Sequence, residues 1–351
     1  MFFLTRKRDV VGIDLGSSSV KLVQLKQAKK GYALQNLGVH PLPPEAIVDN
    51  TIMDSTSVVE SIKALVREMG VRTTEAVASL SGNSVIIKKI LLQTMPPEEL
   101  EDQIHWEAEQ HIPFDINDVN VDFQILGPDA ADPSRMHVLL VASKKDVVND
   151  YVTVFAEAGL KLTVLDVDSF AVQNAFELNH EVSPDDTVAL LNIGANLINI
   201  NIVRDGISLF TRDVQLGGQL YTDEVQKNLG VSSVEAEAIK LRREHPEKNI
   251  LEEIFGRVND TLTSEIKRSL DFFIANSPDL TINRIYLSGG AARTPLLRET
   301  IEQRLDLPVE FIDPFQKIDV DEKLFDREHL DRVSTLVVVA VGLATRRIGD
   351  K

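Results

Sequence analysis

Two segments of the chain share one pattern, in which an apolar run, a short polar turn and a second apolar run follow one another. Residues 10–25 read VVGIDLGSSSVKLVQL, and residues 188–206 read VALLNIGANLININIVRDG. Each segment predicts a buried β-hairpin whose turn passes through Asp-x-Gly or Asn-x-Gly. The turns are 192 − 14 = 178 residues apart, and their likeness indicates a duplicated fold with two related halves.

The stretch between the two hairpins predicts a separate module. Over residues 85–165, apolar positions alternate between the strand period and the helix period in the order β-α-β-β-α-β. A final helix is predicted at 332–348. The predicted domains are a first half from residues 1–84, 166–186 and 333–351, an inserted domain over 85–165, and a second half over 187–332 with a helical part at about 219–278.

The first turn has the chemistry of a phosphate-binding loop. Gly16 permits a tight turn and a close approach of backbone N–H groups to an anion, and Lys21 adds a positive charge. Asp14 repels phosphate, so its expected role is to hold Mg2+ through water. Taken alone, the turn is also compatible with an ordinary hairpin that has a polar tip. Further hydroxyl and N–H donors come from Ser17, Ser18 and Ser19.

A third glycine-containing element, Ser288–Arg293, follows a predicted buried strand. Its two glycines would let a purine and a ribose lie against the backbone, and Arg293 could stack on a ring or reach outward. The same residues are also compatible with a simple turn before a helix, whose start is predicted at Thr294.

Composition narrows the function classes. The chain has 351 residues and a formal net charge of −17, which argues against broad nucleic-acid binding and against direct docking on an anionic membrane. It has no cysteine, so disulfides, thiolate catalysis and Cys-ligated metals are excluded. We expect a cytoplasmic α/β protein without a membrane-spanning segment.

The three turn segments, in this order, resemble those of the actin-like ATPase superfamily. That resemblance implies two duplicated RNase-H-like domains around a cleft that binds ATP and Mg2+. Asp14 would hold the Mg2+ through water. The residues that would meet the nucleotide are Asp14, Gly16, Ser17, Ser18, Ser19 and Lys21 in the first half, and Asn192, Gly194, Ala195, Asn196, Gly217, Gly218, Glu237, Lys240, Gly289, Gly290, Ala291 and Arg293 in the second.

The inserted module narrows the resemblance further. The run KKILLQTMPPEELEDQIHWEAEQHIPF at 88–114 and the run FTRDVQLGGQLYTDEV at 210–225 are similar to the PilM family of type IV pilus assembly proteins, more than to FtsA. The family implies an ATP-binding scaffold, peripheral to the inner membrane through its partner. That partner would be the N-terminal cytoplasmic tail of PilN, in a groove involving residues 85–165. Other pilus inner-membrane or motor components and a homo-oligomer are left open.

Hydrolysis is expected to be slow or absent. Asn192 stands where active members of the superfamily usually have Asp, and Asp166 and Asp168 are both weak candidates for a water-orienting residue. We therefore assign no catalytic residue and expect the nucleotide to be structural or regulatory. One alternative is an FtsA-like filament-forming division protein, which the predicted closing helix disfavours because no linker and membrane helix follow it. Another is a sugar-kinase-type phosphotransferase, for which neither a catalytic Asp nor a sugar pocket is identified.

Overall fold

The computed structural model describes residues 9–48, 50–129, 131–242 and 248–347. These ranges contain sixteen strands and ten α-helices. The first part of the chain gives β1 (Val11–Leu15), β2 (Ser19–Gln27), β3 (Tyr32–Pro41), β4 (Ile47–Val48), β5 (Thr51–Ile52), α1 (Ser55–Glu68) and β6 (Glu75–Leu80). The middle part gives β7 (Ile86–Gln93), α2 (Pro97–Glu109), β8 (Val119–Pro128), β9 (Arg135–Lys144), α3 (Lys145–Glu157), β10 (Lys161–Val167) and α4 (Asp168–Asn179).

The last part of the chain carries the second hairpin and most of the helices. It gives β11 (Thr187–Ile193), β12 (Ile198–Arg204), β13 (Ile207–Val214), α5 (Gln219–Leu229), α6 (Ser233–Arg242), α7 (Lys248–Asn276), β14 (Ile282–Ser288), α8 (Leu297–Leu305), β15 (Val309–Phe311), β16 (Ile318–Asp319), α9 (Arg327–Val333) and α10 (Val338–Thr345). The predicted helical part at about 219–278 contains α5, α6 and α7, and residues 243–247 within it lie outside the described residues.

Two sheets repeat one design. The first has the order β10-β6-β1-β2-β3-β16 and the second the order β13-β12-β11-β14-β15. In each, three antiparallel strands that follow one another in the chain are extended by parallel strands that arrive later. The duplication expected from the two hairpins is therefore present in the sheets.

The strands of residues 85–165 do not all belong to one sheet. Only β7, β9 and β8 form the antiparallel sheet of the inserted module, and α2 covers one face of that sheet with Leu100, Ile104 and Ala108. The predicted β-α-β-β-α-β order is confirmed by β7, α2, β8, β9, α3 and β10. However, β10 pairs in parallel with β6 of the first sheet and not with the strands of the inserted sheet. The side chains of α3 also join the first core, where Tyr151 and Phe155 are buried. Apolar spacing predicts that a strand forms, but not which sheet edge accepts it.

The chain also returns to the first sheet earlier than expected. Ile318 pairs with Tyr32 of β3, although residue 318 lies before the predicted return to the first half at residue 333. The domain limits themselves stay a prediction. The predicted helix start at Thr294 is wrong, because α8 begins at Leu297 and the Thr294 hydroxyl instead donates to the carbonyl of Ala291.

The closing helix is not continuous. It is divided into α9, a 3-10 turn at Thr335–Val337 and α10. The turn has a clear role, since the carbonyl of Thr335 accepts a hydrogen bond from the Gly289 amide at 2.7 Å. A continuous helix would bond that carbonyl to its own next turn.

Helices α4 and α10 lie in one core with residues of both sheets. Val23 and Val77 from the first sheet and Val188 and Leu190 from the second belong to the same buried cluster as these helices. The helices approach closely at Gly342, where a Cβ atom would overlap the backbone carbonyl of Ala171. This shared core holds the two phosphate-type turns on either side of one cleft.

Candidate nucleotide-binding cleft

The first turn joins β1 to β2 and carries a buried charge pair. The Gly16 amide donates to the carbonyl of Ser19 at 3.1 Å, which closes the turn. Asp14 and Lys21 are cross-strand partners, and Lys21 Nζ lies 3.2 Å from Asp14 Oδ2. A Cβ atom at position 16 would overlap Lys21 Nζ. A side chain at position 16 would therefore displace the lysine amine from its place at the tip of the turn.

The second turn joins β11 to β12 and repeats this geometry with different chemistry. The Gly194 amide donates to the carbonyl of Leu197 at 2.8 Å, as Gly16 does to Ser19. Asn192 and Asn199 are cross-strand partners; their offsets from Asp14 and Lys21 are 192 − 14 = 178 and 199 − 21 = 178. Asn192 Nδ2 donates to Asn199 Oδ1 at 2.9 Å. A neutral amide pair thus replaces the charge pair.

The start of α5 is bonded to the second turn. The amide of Gly218 donates to the carbonyl of Gly194 at 2.9 Å, and the amide of Gln219 donates to that of Ala195 at 2.7 Å. A Cβ atom at Gly217 would lie 2.5 Å from those two carbonyl oxygens. Glycine at 217 is what permits this approach.

The third element also packs on the second turn. Gly289 has a φ of 95°, and a Cβ atom there would overlap the backbone of Ile193. The Ala291 amide donates to the carbonyl of Ile193 at 3.0 Å. Gly290 is exposed beside the cleft. The structure therefore brings all three predicted loops to one place.

The cleft between the halves is lined mainly by polar groups. Of the predicted residues, those that line it are Asp14, Gly16, Ser17, Ser18, Lys21, Asn192, Gly194, Ala195, Asn196, Gly289 and Gly290. Residues that line it without having been among the predicted nucleotide-binding residues are Leu15, Asn50, Ser81, Asp168, Leu197, Asn199 and Leu336. Asn199 had a readable signal, the 178-residue offset from Lys21, whereas Asn50, Ser81 and Leu336 reach the cleft only through the tertiary fold.

Other predicted residues lie outside the lining of the cleft. Ser19 is buried within β2. Lys240 Nζ lies 2.6 Å from Glu237 Oε2 and 3.3 Å from the Gly218 carbonyl, so this ion pair is held against the start of α5. The side chain of Arg293 lies 5.1 Å from the centre of the Phe311 ring and donates to Ser334 Oγ at 2.9 Å.

Asp168 is the acidic residue that sequence reasoning undervalued. It is the first residue of α4, and its Oδ1 accepts a hydrogen bond from Ser79 Oγ at 2.6 Å. Burial, with the negative charge of Asp14 nearby, raises the pKa of Asp168 to about 7. Asp166 does not line the cleft but forms an ion pair, in which its Oδ2 lies 3.2 Å from Arg346 Nε. A carboxyl with this pKa can give up or accept a proton near neutral pH.

A second acid, Asp213 on β13, extends the polar network around the second turn. Its Oδ1 accepts from Asn199 Nδ2 at 2.8 Å, and its Oδ2 accepts from the backbone amide of Gly82 at 2.5 Å. Burial raises the pKa of Asp213, against the effect of both hydrogen bonds. The contact with Gly82 crosses from one half to the other.

The sequence matches the family described as type IV pilus assembly protein PilM over residues 12–348. The chain belongs to the PilM family. PilM in the solved structure of a PilM–PilN type IV pilus biogenesis complex is 28% identical, with a TM-score of 0.86, over 98% of this chain and 100% of that chain. This likeness extends over the inserted sheet as well as over both halves.

Two more distant matches are to proteins of the actin-like fold. Cell division protein FtsA of Bacillus subtilis (strain 168) is 24% identical over 258 residues, 67% of this chain. The match spans 58% of the length of that FtsA. MreB 5 of Spiroplasma citri, solved with AMPPNP bound, is 12% identical, with a TM-score of 0.53 over 95% of this chain and 94% of that chain. The fold is that of the actin-like ATPases, a class that generally binds nucleotide and Mg2+.

The cleft of this PilM-family chain has donors suited to a polyphosphate. Lys21 and the backbone amides of both turns lie on the two sides of the cleft. Within the described ranges, no three or more His, Cys, Asp or Glu side chains converge as a metal site. Mg2+ commonly keeps most of its waters and uses one or two carboxylates, so Asp14 on the cleft wall fits a water-mediated role.

In the described parts of the chain, no helix combines the length and the apolar character required to cross a bilayer.

Proposed function

We propose that this chain is an ATP-binding scaffold of the type IV pilus inner-membrane assembly complex. In this role it binds the N-terminal cytoplasmic tail of a PilN partner, which keeps it at the membrane surface. The observation that carries the proposal is the likeness to PilM in the PilM–PilN complex, which covers 98% of this chain and 100% of that one. A likeness confined to the nucleotide cleft would have supported nucleotide binding alone.

ATP would lie in the cleft between the two turns. The β- and γ-phosphates would meet Lys21 and the amides of the first turn, with Asp14 holding Mg2+ through water. The nucleoside would extend toward Gly218 and Gly290. The Glu237–Lys240 pair, which lies against the carbonyl of Gly218, would stand at the ribose end. Arg293 would have to leave Ser334 and Phe311 to reach the adenosine.

We propose slow turnover for an electrostatic reason. At position 192 an amide replaces the charge that the fold usually places opposite Asp14, and this amide is bonded to Asn199. Loss of one preorganised electrostatic group typically costs about 3–4 kcal/mol of barrier. Asp168 could still orient water, so residual hydrolysis is expected rather than none. ATP would then act mainly as a ligand that stabilises the closed protein.

The inserted sheet offers a surface for the tail. Side chains alternate across a strand, and Ile90 and Leu140 face the core beneath α2. Leu91 and Val141 therefore point to the opposite face, where both stay partly exposed. Lys89, which pairs with Leu139 across the strands, belongs to that face too. An extended segment with apolar side chains and an acidic group would fit this surface.

A binding experiment tests the proposal directly. A synthetic peptide of the N-terminal cytoplasmic segment of PilN from the same organism is titrated into the full chain by calorimetry, and phosphate release from Mg-ATP is followed separately. We expect peptide binding, with turnover well below the roughly 1–100 per second of kinases. Absence of peptide binding, or turnover in the kinase range, would contradict the corresponding part of the proposal.

Two matched variants locate the peptide. Leu91→Glu places a charge on the proposed face and should weaken peptide binding at least about tenfold, since an unpaired charge is costly to bury. Leu324→Glu makes the same change at a residue that is 73% exposed and should leave the affinity unchanged. Equal affinities for both variants would place the tail elsewhere.

The FtsA relative supports a second candidate, a filament-forming protein of the FtsA type. Its 24% identity over 67% of this chain is compatible with conserved filament contacts. Electron microscopy of the protein with ATP on anionic vesicles, without any partner, tests this candidate. Polymers on the lipid would favour it, whereas recruitment only after addition of vesicle-anchored PilN peptide would favour the scaffold.

A further inference from the structure

A chain of hydrogen bonds leads from the second turn across the cleft. Asn192 Nδ2 donates to Asn199 Oδ1 at 2.9 Å, and Asn199 Nδ2 donates to Asp213 Oδ1 at 2.8 Å. The other carboxylate oxygen, Oδ2, accepts from the Gly82 amide at 2.5 Å. Gly82 follows β6 of the first sheet, so this one carboxyl group is bonded to both halves.

Asp213 fixes the direction of every hydrogen bond in this series. An ionised carboxylate only accepts hydrogen bonds, so the amide nitrogen of Asn199 must face it and the amide oxygen of Asn199 must face Asn192. The amide nitrogen of Asn192 is thereby used, and its side chain is held at a fixed angle on the wall of the cleft. Asp213 thus positions a cleft residue without lining the cleft itself.

At its other end, Gly82, the series of hydrogen bonds leads into the inserted sheet. Gly82 begins a short 3-10 turn that ends at Ser84, two residues before β7. The carbonyl of Ser84 accepts from Ser143 Oγ of β9 at 2.7 Å, and the Ser84 hydroxyl donates to the carbonyl of Asn50 at 3.2 Å. Asn50 lines the cleft. A displacement of Gly82 would therefore move the start of the inserted sheet.

We propose that Asp213 is a positioning residue that couples nucleotide in the cleft to the inserted sheet and hence to the partner's tail. This inference rests on the proposed nucleotide and tail binding. A ligand that favours the arrangement joined by Asp213 and Gly82 stabilises it for the other ligand as well, and such coupling is reciprocal. The coupling requires both arms of the carboxylate, one to Asn199 and one to Gly82.

Two variants cut the connection at different points. Asp213→Asn keeps the shape, but its amide offers one oxygen where two donors must be met, so one arm is lost. Gly82→Ala acts from the other half, because a Cβ atom there would overlap the side-chain Nδ2 of Asn50, so that either Asn50 or Gly82 must shift. The matched control is Gly70→Ala. Gly70 has a φ of 62°, close to the 60° of Gly82, but nothing lies near its Cβ position.

The first measurement needs no partner. Amide hydrogen exchange of β7 and β9 is compared with and without saturating Mg-ATP in the full-length protein. We expect ATP to slow exchange in these strands about fivefold or more in the wild type and in Gly70→Ala. The slowing should be largely lost in Asp213→Asn and Gly82→Ala. Calorimetry verifies that each variant is saturated with ATP under the conditions of the exchange experiment.

The second measurement adds the PilN peptide and gives the coupling factor. We expect the peptide to change the affinity for ATP by about fivefold or more in the wild type, within the usual range for coupled sites, and by less than twofold in both variants. Equal coupling in all four proteins, or a wild type that binds ATP without any change in β7 and β9, would overturn the inference. Failure of the peptide to bind, with the ATP effect on exchange intact, would count against the proposed partner only.

Discussion

Lys21 Nζ lies 3.2 Å from Asp14 Oδ2 across the first hairpin, and both side chains are almost fully buried. The corresponding pair in the second hairpin is neutral, Asn192 with Asn199. The two halves therefore share a backbone design but differ in charge. The positive charge available to a phosphate lies on the first half, and the second half contributes mainly amides.

Replacing Lys21 by methionine should weaken ATP binding. A hydrogen bond to a charged group contributes about 1.5–3 kcal/mol, which corresponds to a roughly 10- to 150-fold rise in Kd. The control is Lys26→Met on the same strand, where the side chain is exposed. Titration with a fluorescent ATP analogue measures both. If the two variants bind alike, Lys21 serves only to neutralise Asp14.

Restoring a carboxylate at position 192 should accelerate hydrolysis. Asn192→Asp places a charge opposite Asp14, and one such electrostatic group is typically worth about 100- to 1000-fold in rate. A rise of at least about tenfold in phosphate release is expected. Asn228→Asp adds the same charge on the exposed side of α5 and should change nothing. An unaltered rate for Asn192→Asp would mean that another feature limits turnover.

The stability of the nucleotide-free protein should depend on pH through Asp168. Its pKa is raised from 3.8 to about 7 by burial and by Asp14, so the native state binds more protons than the unfolded state between these values. The free energy of unfolding therefore falls as pH rises from about 4 to about 7, and the contribution of Asp168 is constant outside this window.

The variant Asp168→Asn should reduce this slope. Urea unfolding at a series of pH values between 4 and 8 measures it, and the variant should gain stability relative to wild type as pH rises. Asp150→Asn, on the exposed side of α3, is the charge control. Parallel curves for wild type and Asp168→Asn would show that Asp168 does not titrate in this range.

A stability prediction concerns the contact between α4 and α10. Gly342→Ala would drive a methyl group into the carbonyl of Ala171, and overpacking of this kind typically costs about 1–3 kcal/mol, or more where backbone must move. Gly256→Ala is the control, because nothing lies near its Cβ position on α7. There, helix propensity predicts a gain of up to about 1 kcal/mol. Equal melting temperatures would contradict the proposed close packing.

The sequence by itself determined the features that are local. Each turn is specified by an apolar run, a glycine at its tip and a second apolar run, and backbone sterics of those few residues suffice to form it. The 178-residue repeat of this pattern predicted the duplicated sheets, and the motifs at 88–114 and 210–225 predicted the family that the match over residues 12–348 confirmed. The strands and helices over 85–165 were likewise predicted, but the sheet that accepts the last of these strands was not.

Only the tertiary structure decided which distant groups meet. Asp168 reaches Ser79 across 89 residues of sequence, and Asp213 reaches Gly82 across 131. The pairing of β10 with β6 and the break of the closing helix at Thr335 have the same origin. The apolar periodicity of an element indicates which of its sides is buried. It does not indicate which other element packs against that side, because this depends on how all elements fit together in one core. For that reason the cleft's loops could be predicted, whereas the burial of Asp168 beside Asp14 and the link from Asp213 to Gly82 could not.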